Sequence, residues 1–127
     1  MQIQRETAAE ARAHRDMTEQ TIADIARFLQ DNFSQRVTAY IAGIEDAKQV
    51  GKWCKALNAP RYEAEVRLRT AYQIFKIIEE GENLHTARAW MIGMNPQLED
   101  ESPLQAIAEG HFKDVMAAAR SYLRGDL

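Results

Sequence analysis

The chain has little of what most small enzymes and secreted domains rely on. Its 127 residues include one cysteine, Cys54, so no internal disulfide can form, which fits a reducing compartment. No apolar run approaches the roughly 20 residues a membrane span requires. The start, Met1-Gln2-Ile3-Gln4-Arg5-Glu6, lacks the continuous apolar stretch of a signal peptide, and together these absences predict a cytoplasmic protein. His14, His85 and His111 are scattered, with no H-x-x-x-H or C-x-x-C spacing, so no metal site is expected. No glycine-rich phosphate loop occurs. The three adjacent carboxylates Glu99-Asp100-Glu101 lack the opposed, differently buried arrangement of a catalytic pair. They read as a solvated cluster whose charge suits the helix start at Pro103. Cys54 has no histidine near it in sequence and reads as inert, although Lys52 and Lys55 would lower its pKa if it were exposed. No cofactor is expected. Nothing points to a reaction, and a small helical enzyme is the weakest reading.

What is present is helix. Hydrophobic residues make up 46% of the chain, enough to bury a core. There is no alternating strand pattern, no hairpin dipeptide and no internal repeat, so the fold class is all-α. Residues 1–17 favour helix but offer few large apolar side chains, which predicts a frayed helix or flexible arm. From Thr18, a plausible cap, Ile22, Ile25, Ala26 and Leu29 mark one helical face. Ser34 is placed to cap a second helix with Val37, Tyr40 and Ile41 inward, ended by Gly43. Asp46 is placed to cap a third with Val50, Trp53 and Leu57 buried, stopped by Asn58-Ala59-Pro60. A long helix over about 61–80 turns Ala64, Leu68, Ala71, Tyr72, Phe75 and Ile78 inward. Further helices follow at roughly 84–93, 103–109 and 111–124, the last with a stripe of Phe112, Val115, Met116, Ala119 and Leu123. The expected organisation is an arm (1–17), a helical lobe (18–80) and a second helical lobe (81–127).

Charge is unevenly spread. Residues 1–30 carry a net −1, residues 31–78 a net +3 and residues 79–127 a net −5. A phosphate-facing module joined to an acidic interaction module has this pattern, and so does ordinary surface variation. Within the basic third, Arg36 to Pro60 has the layout of a helix-turn-helix. Lys48, Gln49, Lys52 and Lys55 fall on the outer face of its second helix. Gln49 is placed to read a base edge and the lysines to reach phosphates, with Arg36, Arg61, Arg67 and Arg69 as further backbone contacts. Glu45, Asp46 and the helix-weakening Gly51 point the other way, to a helical hairpin that keeps the shape without binding DNA.

The most informative stretch is Ala87 to Gly110. It carries Trp90, a turn through Asn95-Pro96 anchored by Leu98, and a helix opened by Ser102-Pro103 and closed by Gly110. Met91, Met94 and Met116 are adaptable apolar side chains that suit an interface or a core, and Trp90 itself serves either. The W…N-P-x-L…S-P-x-x-x-(I/L)…G spacing resembles the toxin-binding domain of Xre/MbcA/ParS-type antitoxins. The Arg36–Pro60 segment resembles the helix-turn-helix of Xre-family regulators. The resemblance covers about Val37 to Arg124.

That resemblance implies an antitoxin-like protein whose C-terminal lobe binds a RES-type toxin that consumes NAD, and whose helix-turn-helix binds its own promoter DNA. Carried over residue by residue, the toxin-binding set is Trp90, Asn95, Pro96, Leu98, Pro103 and the tail Arg124, Gly125, Asp126 and Leu127. The DNA-binding set is Arg36, Lys48, Gln49, Lys52 and Lys55. A homodimer is expected. The alternative is a solitary Xre-like regulator whose C-terminal lobe only dimerises or binds another protein.

Overall fold

Asn and Ser/Thr side chains open five of the eight helices among the described residues, and proline or glycine closes or restarts several of them. A computed structural model describes residues 7–126. Among these the structure is all-helical, without strands. The helices are α1 (Ala8–Glu19), α2 (Ile22–Phe33), α3 (Gln35–Ala42), α4 (Lys48–Cys54), α5 (Tyr62–Gly81), α6 (Leu84–Ile92), α7 (Pro103–Ala108) and α8 (Phe112–Leu123). A 3-10 turn, Pro96–Leu98, lies between α6 and α7. No helix of the described residues is long and apolar enough to cross a membrane.

The caps follow the side-chain chemistry. Thr21, Ser34, Asn83 and Ser102 each accept a bond from a first-turn amide, satisfying donors the helix cannot. Gly43 ends α3 in the left-handed region (φ 79°), where a side chain would be strained. Gly81 is different. It is the last residue of α5, and a Cβ there would lie 2.6 Å from Leu123 Cδ2. Its lack of a side chain is what lets the end of α8 close onto α5.

α5 is the spine. It packs against α1, α2, α3, α6, α7 and α8, while α4 sits on α2 and α3. All six inward positions expected for α5 are buried, together with Ile74 and Ile77. Phe28 meets Tyr72 and Phe75 edge to face, with ring centroids 5.1 and 5.0 Å apart. Because α5 is covered on so many sides, the core does not part near residue 80. One buried cluster joins Ile25, Leu29 and Leu68 to Met91, Leu104, Ile107 and Val115.

The structure departs from the sequence-based expectations in four places. Residues 8–17, expected as a frayed arm, form most of a docked helix. Thr7 and Glu10 make a capping box, and Glu10, 4% exposed, accepts a bond from Arg120 Nε at 2.6 Å. Arg69 Nη1 donates to the Met17 and Gln20 carbonyls, so polar anchors do what large apolar residues would otherwise do. Thr18 lies inside α1, its hydroxyl donating to the Arg15 carbonyl, and Thr21 is the cap of α2. Tyr40 is 50% exposed while Thr38, Ala39 and Ala42 are buried with Ile41, because α3 is held between α2, α4, α5 and α7 and buries a broader, small-residue face. Leu57 is 72% exposed, since α4 ends at Cys54 and Ala56 turns left-handed (φ 57°) before Leu57 can return to the core.

Candidate functional site

α6 runs out at Ile92, and the chain then has to turn back toward α7. Asn95 organises that return. Its side chain accepts from the Gln97 amide at 2.9 Å, and its carbonyl accepts from the Leu98 and Asp100 amides at 2.9 and 3.0 Å. Pro96 presets the turn, and Leu98 drops into the core. Glu99 and Asp100 both take positive φ (56° and 65°), a costly conformation for residues with side chains. Gln97 Nε2 donates to Ser121 Oγ at 2.8 Å, which pins the turn to α8.

The outcome is an apolar groove of about 450 Å3 between the end of α6, this turn and α8. Trp90, Met94, Pro96, Ala118 and Tyr122 line it, with Asn95 and Asp126 at its polar edges. Trp90 and Tyr122 face one another with ring centroids 6.0 Å apart. Met94 is 82% exposed, and Ile92 is exposed beside it.

Of the residues proposed from sequence as toxin-binding, the structure brings Trp90, Asn95, Pro96 and Asp126 to this groove. Leu98 and Pro103 are buried in the core. They hold the turn and the start of α7 in place and present nothing to a partner. Arg124 and Gly125 are exposed on the tail, and Arg124 Nε donates to Asp126 Oδ2 at 3.0 Å. Leu127 lies outside the described residues. Met94, Ala118 and Tyr122 were not assigned to the site. Part of the signal was present as the i, i+4 pair Ala118/Tyr122 on α8, but Met94 lies past the end of α6 at Ile92, and nothing local says that it, Trp90 and α8 converge.

On the opposite part of the chain, Lys48, Lys52 and Lys55 are all exposed along α4 and its end, and Arg36 is exposed on α3. Gln49 is not with them. It is half-buried, accepts from Asn58 Nδ2 at 3.2 Å and lines a separate cleft toward α5. Asp46 Oδ1 accepts from the Lys48 amide at 3.0 Å, putting a carboxylate at the start of α4, and Ala47, not Asp46, is the residue that flanks the helix. Arg69, expected as a phosphate contact, is held by Glu65 and the α1 carbonyls. Gly51 leaves room for Gln35, whose Nε2 would lie 3.0 Å from a Cβ at that position.

No known protein family, curated protein or solved structure matches this chain.

Two other groups of reactive side chains stand outside both surfaces. Cys54 is buried, and its thiol is pushed up from its ordinary pKa chiefly by burial, which disfavours the thiolate. Glu101, Glu109 and His111 bring ligand-capable atoms within 4.8 Å of one another across the loop and the end of α7, a convergence the separate sequence positions did not reveal. Partial desolvation, then the charge of Glu109, raises the Glu101 pKa from its ordinary value.

Proposed function

We propose that this chain is an antitoxin-like binding protein that acts as a homodimer, grips a RES-type toxin through the groove between α6 and α8, and represses its own promoter through the lysine face of α4. The observation that carries the reading is the apolar groove itself, with the exposed Met94 at its rim and the Arg124–Asp126 tail beside it. A flexible thioether next to a half-buried Trp–Tyr pair has the chemistry of an adaptable protein interface. The exposed Leu57 and Tyr62 at the α4–α5 junction supply apolar surface for a second copy. Co-expression with the product of a neighbouring reading frame encoding a RES-type toxin tests the proposal. Stable co-purification and neutralisation are expected. A complete absence of binding to that product would overturn it.

The second reading is a solitary DNA-binding regulator, favoured by the row of exposed Lys48, Lys52 and Lys55. On either reading, Lys48→Glu combined with Lys52→Glu is expected to abolish retention of promoter DNA at low salt, because two phosphate contacts become two repulsions. Unchanged mobility in a gel-shift assay would remove α4 from the DNA-binding role. An isolated gene, with no toxin frame beside it, favours this second reading over the first.

A further inference from the structure

The apolar groove between α6 and α8 does not end at the turn. Gln97 lines it and also lines a second hollow, of about 300 Å3, between the loop after the turn, the α7–α8 junction and the start of α8. One face of α8 runs under both. Asp114 lines the hollow, and Ala118 and Tyr122, one and two turns further on, line the groove. At about 1.5 Å of rise per residue, roughly 9 Å separates the level of Asp114 from the middle of the groove.

The two concavities differ in chemistry. The groove is apolar and presents Met94 at its rim. The hollow carries the carboxylates of Glu99, Glu101 and Asp114, and no Lys or Arg lines either concavity. Among the described residues these three carboxylates make no ion pair. From Ala89 to Phe112 the chain has no Lys or Arg, so the negative charge beside the groove is not neutralised from within its own segment. Uncompensated carboxylates next to an exposed apolar surface complement a partner that brings an apolar side chain and a cation together. They repel nucleic acid.

Taking the groove as the surface that grips a protein, we propose that groove and hollow together seat one basic amphipathic helix of that partner. An aliphatic or aromatic side chain of the helix enters between Trp90, Met94 and Tyr122. An arginine one to two turns along the same helix reaches Glu99 and Asp114. Arginine suits the hollow because its planar fork engages carboxylates with two parallel bonds.

The test is an NMR titration of the full chain with three alanine-rich helical peptides of about 16 residues. Each carries a leucine and, one and two turns further on, arginine, glutamine or glutamate. Saturable shifts are expected at the Trp90 indole and the Asp114 and Ala118 amides with the arginine peptide. The Trp53 indole, buried and outside both concavities, should not move. Affinity is expected to fall about fivefold from arginine to glutamine, and further with glutamate. Glu99→Lys combined with Asp114→Lys, both at exposed positions, is expected to reverse that order. If the reversal does not fold by circular dichroism, Glu99→Gln with Asp114→Asn is expected to abolish the preference. Met94→Ser is expected to weaken all three peptides. Equal affinity for the three, an unchanged order in the charge variants, or no binding at all would overturn the proposal. So would shifts at Asp114 without any at Trp90, or the same shifts on concentrating the chain alone, which would assign the surface to a second copy. No toxin enters the titration. A chain that binds the arginine peptide but no RES-type toxin keeps this surface and loses that partner, and a toxin that co-purifies equally with the charge-reversed chain does the opposite.

Discussion

Glu10 shows how much a single side chain can fix in a molecule of this size. One oxygen accepts the Thr7 amide at 2.9 Å and the other accepts Arg120 Nε at 2.6 Å, so one carboxylate both caps α1 and ties it to α8. Arg120 is partly exposed, and solvent screening reduces the value of the ion pair. Truncation removes the carboxylate half of the capping box and the tie to α8 together. Glu10→Ala is expected to lower unfolding free energy by about 2 kcal/mol, measured by urea denaturation; a change within error would mean that α1 is held by something else. Glu101 makes the opposite contribution. Its raised pKa means the folded chain holds that proton more tightly than the unfolded chain does, so stability falls as pH rises through the window between the unfolded and folded values. Glu101→Gln is therefore expected to raise the melting temperature at neutral pH and to leave it unchanged in acid below both values. A gain of equal size at both pH values would contradict this.

At the scale of elements, the junction of α5 and α8 sets two known effects against each other. Alanine at Gly81 improves helix propensity by up to about 1 kcal/mol, but its methyl meets Leu123 at 2.6 Å, and overpacking costs about 1–3 kcal/mol. Leu123 Cδ2 is the free end of a half-buried side chain and gives way at part of that cost, so Gly81→Ala is expected to change stability by less than about 1 kcal/mol in the native chain and to stabilise by up to about 1 kcal/mol in a Leu123→Ala background. Equal effects in both backgrounds would show that the two helices do not meet as described. Elements were legible wherever a local rule decided them. Ser34, Gly43, Ser102-Pro103 and Gly110 mark helix ends in the sequence and in the structure. Tyr40 and Leu57 misled because their burial depends on which neighbours surround α3 and on where α4 stops, and helical spacing encodes neither. α1 was legible as helix-forming but not as docked, because its anchors, Arg69 and Arg120, lie 49 or more residues away along the chain.

For the whole molecule, one spine helix that packs against α1, α2, α3, α6, α7 and α8 gives a single core, and the two surfaces of interest lie on opposite charge territories of the chain. The basic middle third carries the lysine face, while the acidic last third carries the apolar groove. The turn that shapes the groove was readable from Asn95-Pro96-Gln97-Leu98, because proline and asparagine leave few conformations open. The groove's full lining was not, since it forms only when α6 and α8 meet. Of the residues first placed there, Leu98 and Pro103 shape it from beneath. The most direct measurement is growth rescue in cells that express a RES-type toxin, the partner proposed above, comparing the native chain with Met94→Glu. Met94 is at the rim and open to solvent, so the substitution is expected to leave the melting temperature unchanged and to abolish both rescue and co-purification. Full rescue by Met94→Glu would contradict the assignment of this groove as the surface that grips the toxin.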